Sequence, residues 1–277
     1  MPPYPREMRM TAATPTSPSK PSGIKPQNRR LVRAGTQRVT VETKESAIGP
    51  VAVILPQPDS TPLTPSFVEQ LTVSLRAAAS TPIRIRTTAI GEDEAAAFRA
   101  AGFDVAQRLH LLVHDLGPPE LAPRGQSPGL TIRGLQVGGP FGKARTLSLL
   151  AIDHAAFAPD MRLDLGDFAN AMRATPVVRL RVAMLDAAMV GYAIFGRSGR
   201  RGYLQRLAVI PTAQGRGIGR ALVVDGIRWC RRRRVARLVV NTEHGNTAAL
   251  HLYRTLGFGD APLGLVIMEH TPSGACA

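Results

Sequence analysis

The sequence predicts an α/β fold, and the second half of the chain carries the evidence for it. Over residues 203–210 an apolar strand runs into Pro211, and a loop with glycines at three alternate positions follows. A long helical pattern opens after this loop, and a further apolar strand and a second helical pattern come next. Strands and helices that alternate in this way build layered α/β domains.

The other predicted elements of residues 144–277 complete one domain. Runs of apolar side chains predict strands, and helical spacing of apolar side chains predicts helices. The predicted strands cover 145–153, 177–185, 187–196, 203–210, 236–242 and 263–269, and the predicted helices cover 165–174, 217–233 and 247–256, with a first helical region opening at 155–158. The helix over 247–256 begins after an asparagine cap and stops at a glycine.

Composition divides the rest of the chain into three parts. Residues 1–45 are rich in Pro, Ser, Thr, Arg and Lys without periodicity, which predicts a disordered basic tail. Residues 46–115 hold further strand and helix patterns. Residues 116–143 are dense in Gly and Pro, which predicts a linker.

Charge is distributed unevenly over the 277 residues, whose net charge is +15. Residues 1–45 carry +6, residues 46–122 carry −3, and residues 123–277 carry +12. A ligand with several phosphates explains part of the basic bias. The arginine run at 231–234 is interpreted as a solvated helix end, where cations suit the helix dipole. The few aromatic residues argue against nucleic acid as a partner, because stacking platforms are missing.

Several classes of protein are excluded by composition. No apolar run approaches the roughly 18 residues of a membrane-spanning helix, so no membrane partner is expected. The first residues lack the apolar stretch of a secretory signal, which predicts a cytoplasmic protein. Two cysteines provide neither a disulfide framework nor a set of metal ligands, so no metal is implied.

The glycine loop at 214–220 has the chemistry of a phosphate receptor. Amides at a helix start lack partners and lie at the positive end of the helix dipole, and glycines let a phosphate approach the backbone. Two familiar phosphate motifs do not fit. A dinucleotide fingerprint begun at Gly215 or Gly217 requires a final glycine where Arg220 or Leu222 stands, and a P-loop requires a lysine that is absent.

Two motifs instead resemble the GNAT superfamily of N-acetyltransferases. Gln214, Gly217 and Gly219 fit the pattern Gln-x-x-Gly-x-Gly of the acetyl-coenzyme A loop in that family. The family's second signature, Asn-x-x-Ala-x-x-x-Tyr-x-x-x-Gly-Phe, is matched by Asn246, Ala249, Tyr253, Gly257 and Phe258. A generic pair of core helices in an α/β domain is the alternative explanation.

The resemblance implies a fold, a cofactor and a set of roles. Residues 144–277 are expected to form a catalytic GNAT domain, with a mixed, mostly antiparallel sheet and flanking helices. Acetyl-coenzyme A is the implied acetyl donor, and an amine is the implied acceptor. Backbone groups near Leu207 and Val209 would orient the thioester, Asn246 would contact the pantetheine arm, and Tyr253 would protonate the departing thiolate. The pyrophosphate would lie on the amides of Gln214, Gly215, Arg216, Gly217, Ile218, Gly219 and Arg220.

The general base is not identified by the sequence. Some family members carry a glutamate five residues before the motif asparagine, where this chain has Asn241. Tyr203 and Gln205 are expected to share a strand face with Leu207 and Val209, but neither is a good base at neutral pH. The remaining candidates are Glu243 and His244 in the following loop, or a chain of water molecules.

Residues 46–115 look like a degenerate copy of part of the catalytic domain. An offset of 155 residues places Pro56 on Pro211 and Phe98 on Tyr253. The residues of the cofactor loop are not retained in this register, because Asp59 stands in place of Gln214 and Pro62 in place of Gly217. The tandem arrangement is similar to that of mycothiol synthase-like actinobacterial acetyltransferases, with a GNAT-like half-domain that has lost its cofactor.

Two functions remain open. The first is transfer of an acetyl group from acetyl-coenzyme A to a primary amine by direct attack in a ternary complex. The second is a non-catalytic acyl-coenzyme A-binding module with a basic partner-binding surface. The missing base favours the second function, whereas Tyr253 favours the first, because a sensor needs no acid for a thiolate.

Overall fold

The chain forms two compact units. The computed structural model describes residues 28–46, 49–57, 59–117, 128–140 and 142–271. The first unit comprises Met1–His110 together with Pro262–Ala277, and the second comprises Leu111–Ala261.

The first unit is a mixed sheet with two helices. Its elements are β1 (Asn28–Ala34), β2 (Gln37–Ser46), β3 (Gly49–Pro56), α1 (Pro65–Ala77), β4 (Arg84–Thr87), β5 (Ile90–Gly91), α2 (Glu92–Ala100), the first part of β6 (Asp104–Asp115) and, from the end of the chain, β13 (Leu265–His270). The strand order is β1-β2-β3-β4-β13-β6, and β3–β4 is a parallel pair. Phe67 of α1 and Phe98 of α2 join Ile54 and Ile85 of the sheet in the buried core.

The hairpin β1–β2 corrects the predicted tail. The prediction of disorder for residues 1–45 is wrong from residue 28 onward, and residues 1–27 lie outside the described residues. Ala34 pairs with Gln37 across a two-residue turn in which Gly35 has φ 59°. Val39 and Val41 are buried on one face of β2. Composition averaged over 45 residues hid this short alternation of β-branched side chains.

The second unit has a sheet of seven strands between two helical layers. Its elements are the end of β6, β7 (Leu130–Gly134), α3 (Gly142–Ala156), α4 (Leu165–Ala171), β8 (Val177–Leu185), β9 (Ala188–Ser198), β10 (Arg201–Val209), α5 (Ile218–Arg232), β11 (Arg237–Glu243), α6 (Thr247–Thr255) and β12 (Gly259–Asp260). The strand order is β7-β8-β9-β10-β11-β6, with β12 beside β6. Neighbours from β7 to β10 are antiparallel, and β10–β11 is parallel. The predicted mixed, mostly antiparallel sheet with flanking helices is confirmed.

Alternation along β9 separates two cores in the second unit. Phe195 points to one face, where it packs with Leu222 and Ile227 of α5. Tyr192 and Ile194 point to the opposite face, where the buried side chains of α3 and α4 cover them. The sheet is therefore buried on both faces, with α5 and α6 on one side and α3 and α4 on the other.

Residues 145–153 form a helix, and the strand predicted there is wrong. They belong to α3, which also ends at Ala156, where the first helical region was expected to open. Leu149, Ile152 and Asp153 are buried on the face that meets the sheet. The apolar run that suggested a strand is compatible with both structures, and the packing of one helical stripe against the sheet decides between them.

Two predicted boundaries also differ from the structure. The predicted linker over 116–143 contains β7, which pairs with β8 through Leu130 and Leu185, while residues 118–127 lie outside the described residues. The strand predicted at 263–269 of the catalytic domain is β13, which pairs with β4, β5 and β6 in the first unit. The unit to which a strand belongs depends on the strands with which it pairs. The local sequence pattern of a strand does not identify these partners.

The two units repeat one order of elements at the predicted offset. Shifted by 155 residues, α2 coincides with α6, and α1 overlaps α5. Both units contain a parallel strand pair at the corresponding place. In the first unit this pairing continues to Ile54, two residues before Pro56. In the second unit it stops at Tyr203, eight residues before Pro211. The first unit thus keeps the order of elements, but its strands β3 and β4 stay paired where β10 and β11 of the second unit do not.

Candidate functional site

The glycine loop leaves the N-terminus of α5 open. A single 3₁₀ turn, Pro211–Ala213, follows β10 and leads into the loop. Gly215 and Gly217 have φ values of 74° and 73°, a left-handed conformation that glycine adopts without strain. Gly217 is the N-cap of α5, and no side chain caps the helix.

Several amides of this loop have no acceptor within the described part of the chain. Ala221 is the first residue of α5 whose amide is paired, with the carbonyl of Gly217. The unpaired amides before it belong to Gly215, Gly217, Ile218, Gly219 and Arg220. Arg216 is exposed between them. Unpaired donors at the positive end of a 15-residue helix have the chemistry to attract an anion.

Gln214 holds the loop against the strand. Its Nε2 donates to the carbonyl of Val209 at 3.0 Å. The side chain of Gln214 therefore closes the turn. The backbone of the residues that follow Gln214 faces outward.

β10 separates from β11 beside this loop. The two strands pair only through Arg201–Arg237, Gly202–Leu238 and Tyr203–Val239. A β-bulge lies between Leu204 and Arg206, where the pairing of β10 with β9 shifts by one residue. The segment 204–209 therefore runs beside β9 alone, with a gap on its other side.

The backbone of Leu207 and Val209 faces this gap. Ile210 donates its amide to the carbonyl of Val190, near the start of β9. Polar groups alternate in direction along a strand, so Leu207 and Val209 direct theirs away from β9. The bond from Gln214 to the Val209 carbonyl agrees with this direction. Both expected residues thus direct backbone groups into the gap, although the carbonyl of Val209 already accepts the Gln214 side chain.

The bulge corrects one expectation about side chains. Tyr203 pairs with Gly196, whereas Leu207 pairs with Ala193 on the opposite face of β9. Tyr203 therefore does not share a face with Leu207 and Val209. The extra residue, Gln205, breaks the alternation on which that expectation was based.

Gln205 lies beside the gap on the face covered by α3 and α4. A Cβ atom built on Gly196 would lie 2.6 Å from its Nε2, so that glycine makes room for the side chain. Its Oε1 is buried and has no hydrogen-bond partner among the described residues. A buried acceptor without a donor is costly unless a ligand supplies one.

α6 packs against the start of α5. Asn246 caps α6, and its side chain accepts a hydrogen bond from the amide of Ala249 at 3.1 Å. A Cβ atom on Gly219 would lie 3.3 Å from Cδ2 of Leu252. This glycine therefore allows α6 to approach the open end of α5 closely, which brings the two sequence motifs together.

Tyr253 is buried in this contact region. Only 4% of the residue is exposed, and its ring centroid lies 5.6 Å from that of Phe258. Burial raises the pKa of the Tyr253 phenol well above its usual range. The hydroxyl makes no hydrogen bond to any residue that the structure describes. A neutral phenol with an uncommitted proton is suited to act as an acid.

The sequence analysis missed one buried charged group beside the gap. Asp153 of α3 and Arg206 of β10 form an ion pair, next to Leu207 in the chain. Helical spacing would have revealed it, because Asp153 then falls in the same stripe as Leu149 and Ile152. The false strand over 145–153 concealed this signal.

Comparisons with known proteins agree with this geometry. Residues 147–258 match the model of the acetyltransferase (GNAT) family. A mycothiol acetyltransferase from Rhodococcus erythropolis is 44% identical over 52 residues, which are 19% of this chain and 17% of that protein. The chain thus spans about a sixth of the length of this curated relative in the match.

Two solved structures resemble the chain over most of its length. A GCN5-related N-acetyltransferase from Kribbella flavida has a TM-score of 0.59 at 16% identity, covering 89% of this chain and 90% of its own. A tandem GNAT protein from the clavulanic acid biosynthesis pathway also has a TM-score of 0.59, at 13% identity, covering 89% and 83%. At these identities the likeness establishes the fold. The match to the acetyltransferase (GNAT) family model is confined to residues 147–258, which lie in the second unit.

Proposed function

We propose that this protein is an N-acetyltransferase that transfers an acetyl group from acetyl-coenzyme A to a primary amine by direct attack. The observation that carries the proposal is the meeting of an open helix N-terminus with a gap between two parallel strands. Phosphate donors and an unpaired strand edge lie at the same end of β10. A ligand with both phosphates and an extended amide-bearing arm fits this combination.

The residues present fit acetyl-coenzyme A. The unpaired amides of Gly215, Gly217, Ile218, Gly219 and Arg220 would hold its pyrophosphate, and the guanidinium groups of Arg216 and Arg220 add positive charge. The backbone edges of Leu207 and Val209 would pair with the amides of its pantetheine arm. Asn246, at the start of α6, is proposed as a further contact to that arm. Acetyl-coenzyme A would supply the acetyl thioester as the activated group.

Tyr253 is proposed as the acid. Its phenol keeps its proton across neutral and moderately basic pH, because burial raises its pKa. The Oη atom would donate that proton to the departing thiolate. The packing of α6 against Gly219 holds this side chain close to the open end of α5.

The acceptor amine is proposed to enter on the face covered by α3 and α4. Gln205 offers a buried Oε1 there, and a protonated or neutral amine offers the missing donor. Because an amide is not a base, the acceptor proton would leave through water. The curated relatives are mycothiol acetyltransferases. The substrate that those enzymes acetylate therefore belongs in the acceptor panel as one candidate.

Calorimetric titration of the full chain with acetyl-coenzyme A and with free coenzyme A tests the cofactor site. We expect one binding site per chain. Absence of binding to either compound would remove the basis of the proposal.

Release of coenzyme A in the presence of an amine panel then tests turnover. We expect Tyr253→Phe to bind acetyl-coenzyme A like the parent protein but to turn over about 10²–10⁴-fold more slowly, the usual contribution of a positioned acid. Binding without turnover in the parent protein, over a broad amine panel, would support the non-catalytic acyl-coenzyme A-binding module instead.

A further inference from the structure

Seven arginines gather at the end of the second unit opposite the glycine loop. We call this group the arginine end. It consists of Arg200, Arg201, Arg231, Arg232, Arg233, Arg234 and Arg237. The 15-residue helix α5 separates it from the glycine loop by about 22 Å of axial rise.

Backbone contacts bring the segments of the arginine end together. Arg201 and Arg237 are direct neighbours in the parallel pair β10–β11. The carbonyl of Arg200 accepts the amide of Ala236 at 2.7 Å, which joins the β9–β10 turn to the turn after α5. The run at 231–234 forms the last residues of α5 and that same turn. Three separate segments therefore bring their backbones together at this end of the unit.

This surface has little neutralising charge within the described part of the chain. One carboxylate, that of Asp115, pairs with Arg237 at 2.8 Å, and both side chains are more than half exposed. Arg200, Arg232 and Arg233 are exposed and form no ion pair with a described residue. The Nε atom of Arg231 is buried without a described hydrogen-bond partner. Like charges at this density repel one another unless a partner supplies anions.

Arg234 adds a conformational observation. Its φ of 55° is left-handed, at the position after the helix where glycine is favoured. The chain thus keeps a long cationic side chain at a place where the backbone favours a residue without one. This is unexpected if the run serves only to end a helix.

We propose that the arginine end binds the phosphate backbone of a double-stranded nucleic acid. Arginine pairs with phosphate in a bidentate way, and all seven cations here are arginine rather than lysine. No large apolar side chain among the described residues of this surface is exposed, so it lacks the anchors of a membrane-surface or protein interface. It also lacks exposed aromatic side chains for stacking on single strands. Backbone phosphates of a duplex require none of these.

Duplex binding goes beyond acetyl transfer and gives the arginine run a role besides that of a solvated helix end. The sequence showed four consecutive arginines, while the structure adds Arg200 from the β9–β10 turn and Arg201 and Arg237 from two strands. The scarcity of aromatic residues argues against single-strand binding and is compatible with a duplex.

Fluorescence anisotropy with the full chain tests the proposal. The probes are labelled RNA and DNA duplexes of about 20 base pairs, a single strand of the same length, and vesicles containing anionic lipid, over about 50–200 mM KCl. We expect duplex binding whose logarithmic salt slope is about −4 to −5, as for about five phosphate contacts. The two duplex arms show whether RNA or DNA is preferred.

Two triple variants with equal net charge give the decisive comparison. R200A/R232A/R233A removes exposed arginines of the arginine end, and R133A/R162A/R173A removes exposed arginines elsewhere in the second unit. We expect the first to reduce the salt slope by about 3 and the second to leave it within about 0.5. Thermal melting confirms that both variants fold.

Three outcomes would overturn the proposal. They are absence of duplex binding at low salt, equal losses in the two triple variants, and binding to vesicles without binding to duplex. Each is independent of acetyl transfer, because no step of the experiment measures turnover.

Discussion

Arg206 donates two hydrogen bonds to the carboxylate of Asp153, from Nε to Oδ2 at 2.7 Å and from Nη2 to Oδ1 at 2.8 Å. Asp153 is fully buried, and it also accepts from the Tyr192 hydroxyl at 2.7 Å and the Leu163 amide at 2.9 Å. The Arg206 guanidinium stacks on the ring of Phe157 at 3.5 Å. This network fixes α3 and the segment after it to β10, beside the bulge where the gap opens.

Loss of one partner of this ion pair is expected to destabilise the protein strongly. Asp153→Asn leaves a buried guanidinium without its counter-charge, which costs about 3–5 kcal/mol of unfolding free energy. Chemical denaturation measures it. The matched control is Asp115→Asn, which breaks an exposed Asp–Arg pair and should cost no more than about 1 kcal/mol. Equal losses in the two variants would contradict the structural role of Asp153.

The substitution Gly217→Asp is expected to weaken coenzyme A binding strongly. Gly217→Asp places negative charge at the open N-terminus of α5, so we expect at least about tenfold weaker binding by calorimetry, since 1.4 kcal/mol corresponds to a factor of ten. Gly35→Asp is the control, because Gly35 also has positive φ and open space around it. Both variants carry backbone strain, and the expected loss of affinity belongs to Gly217→Asp alone. Equal coenzyme A affinities in the two variants would mean that the phosphates bind away from Gly217.

The pH dependence of turnover should show no loss of the Tyr253 proton in the usual assay range. The phenol is active in its protonated form, and burial raises its pKa, so the active form persists upward beyond the ordinary value of about 10. Measurement of kcat from about pH 7 to about pH 10 tests this expectation. A fall in kcat with an apparent pKa near 8 or 9 that disappears in Tyr253→Phe would contradict it.

His114 is expected to make the protein less stable in mild acid. Desolvation lowers the pKa of His114, and the charge of Arg231 acts in the same direction. The unfolded state therefore binds the proton at higher pH than the folded state does, so stability falls as pH drops below about 6.5. We expect the difference in Tm between about pH 7.5 and about pH 5 to shrink in His114→Phe, which keeps an aromatic ring against Phe258. An unchanged difference would assign the acid sensitivity to other groups.

The sequence by itself determined the part of the second unit that carries the two sequence motifs. The elements from 203 to 256 follow its prediction to within a few residues, because strand, glycine loop and helix are encoded in local spacing. The conformations of Gly215 and Gly217 and the cap at Asn246 are equally local, since each depends on neighbours within one turn. The roles of these residues in binding acetyl-coenzyme A stay predictions.

Tertiary structure decided what local patterns leave open. The apolar run at 145–153 became a helix because only one stripe of it meets the sheet, and that choice buried Asp153 beside Arg206. The final strand joined the first unit because its hydrogen-bond partners lie there. The bulge at Gln205 reversed the face of Tyr203 relative to Leu207. Pairing partners and packing faces arise from residues far apart in the chain, so no window of sequence contains them.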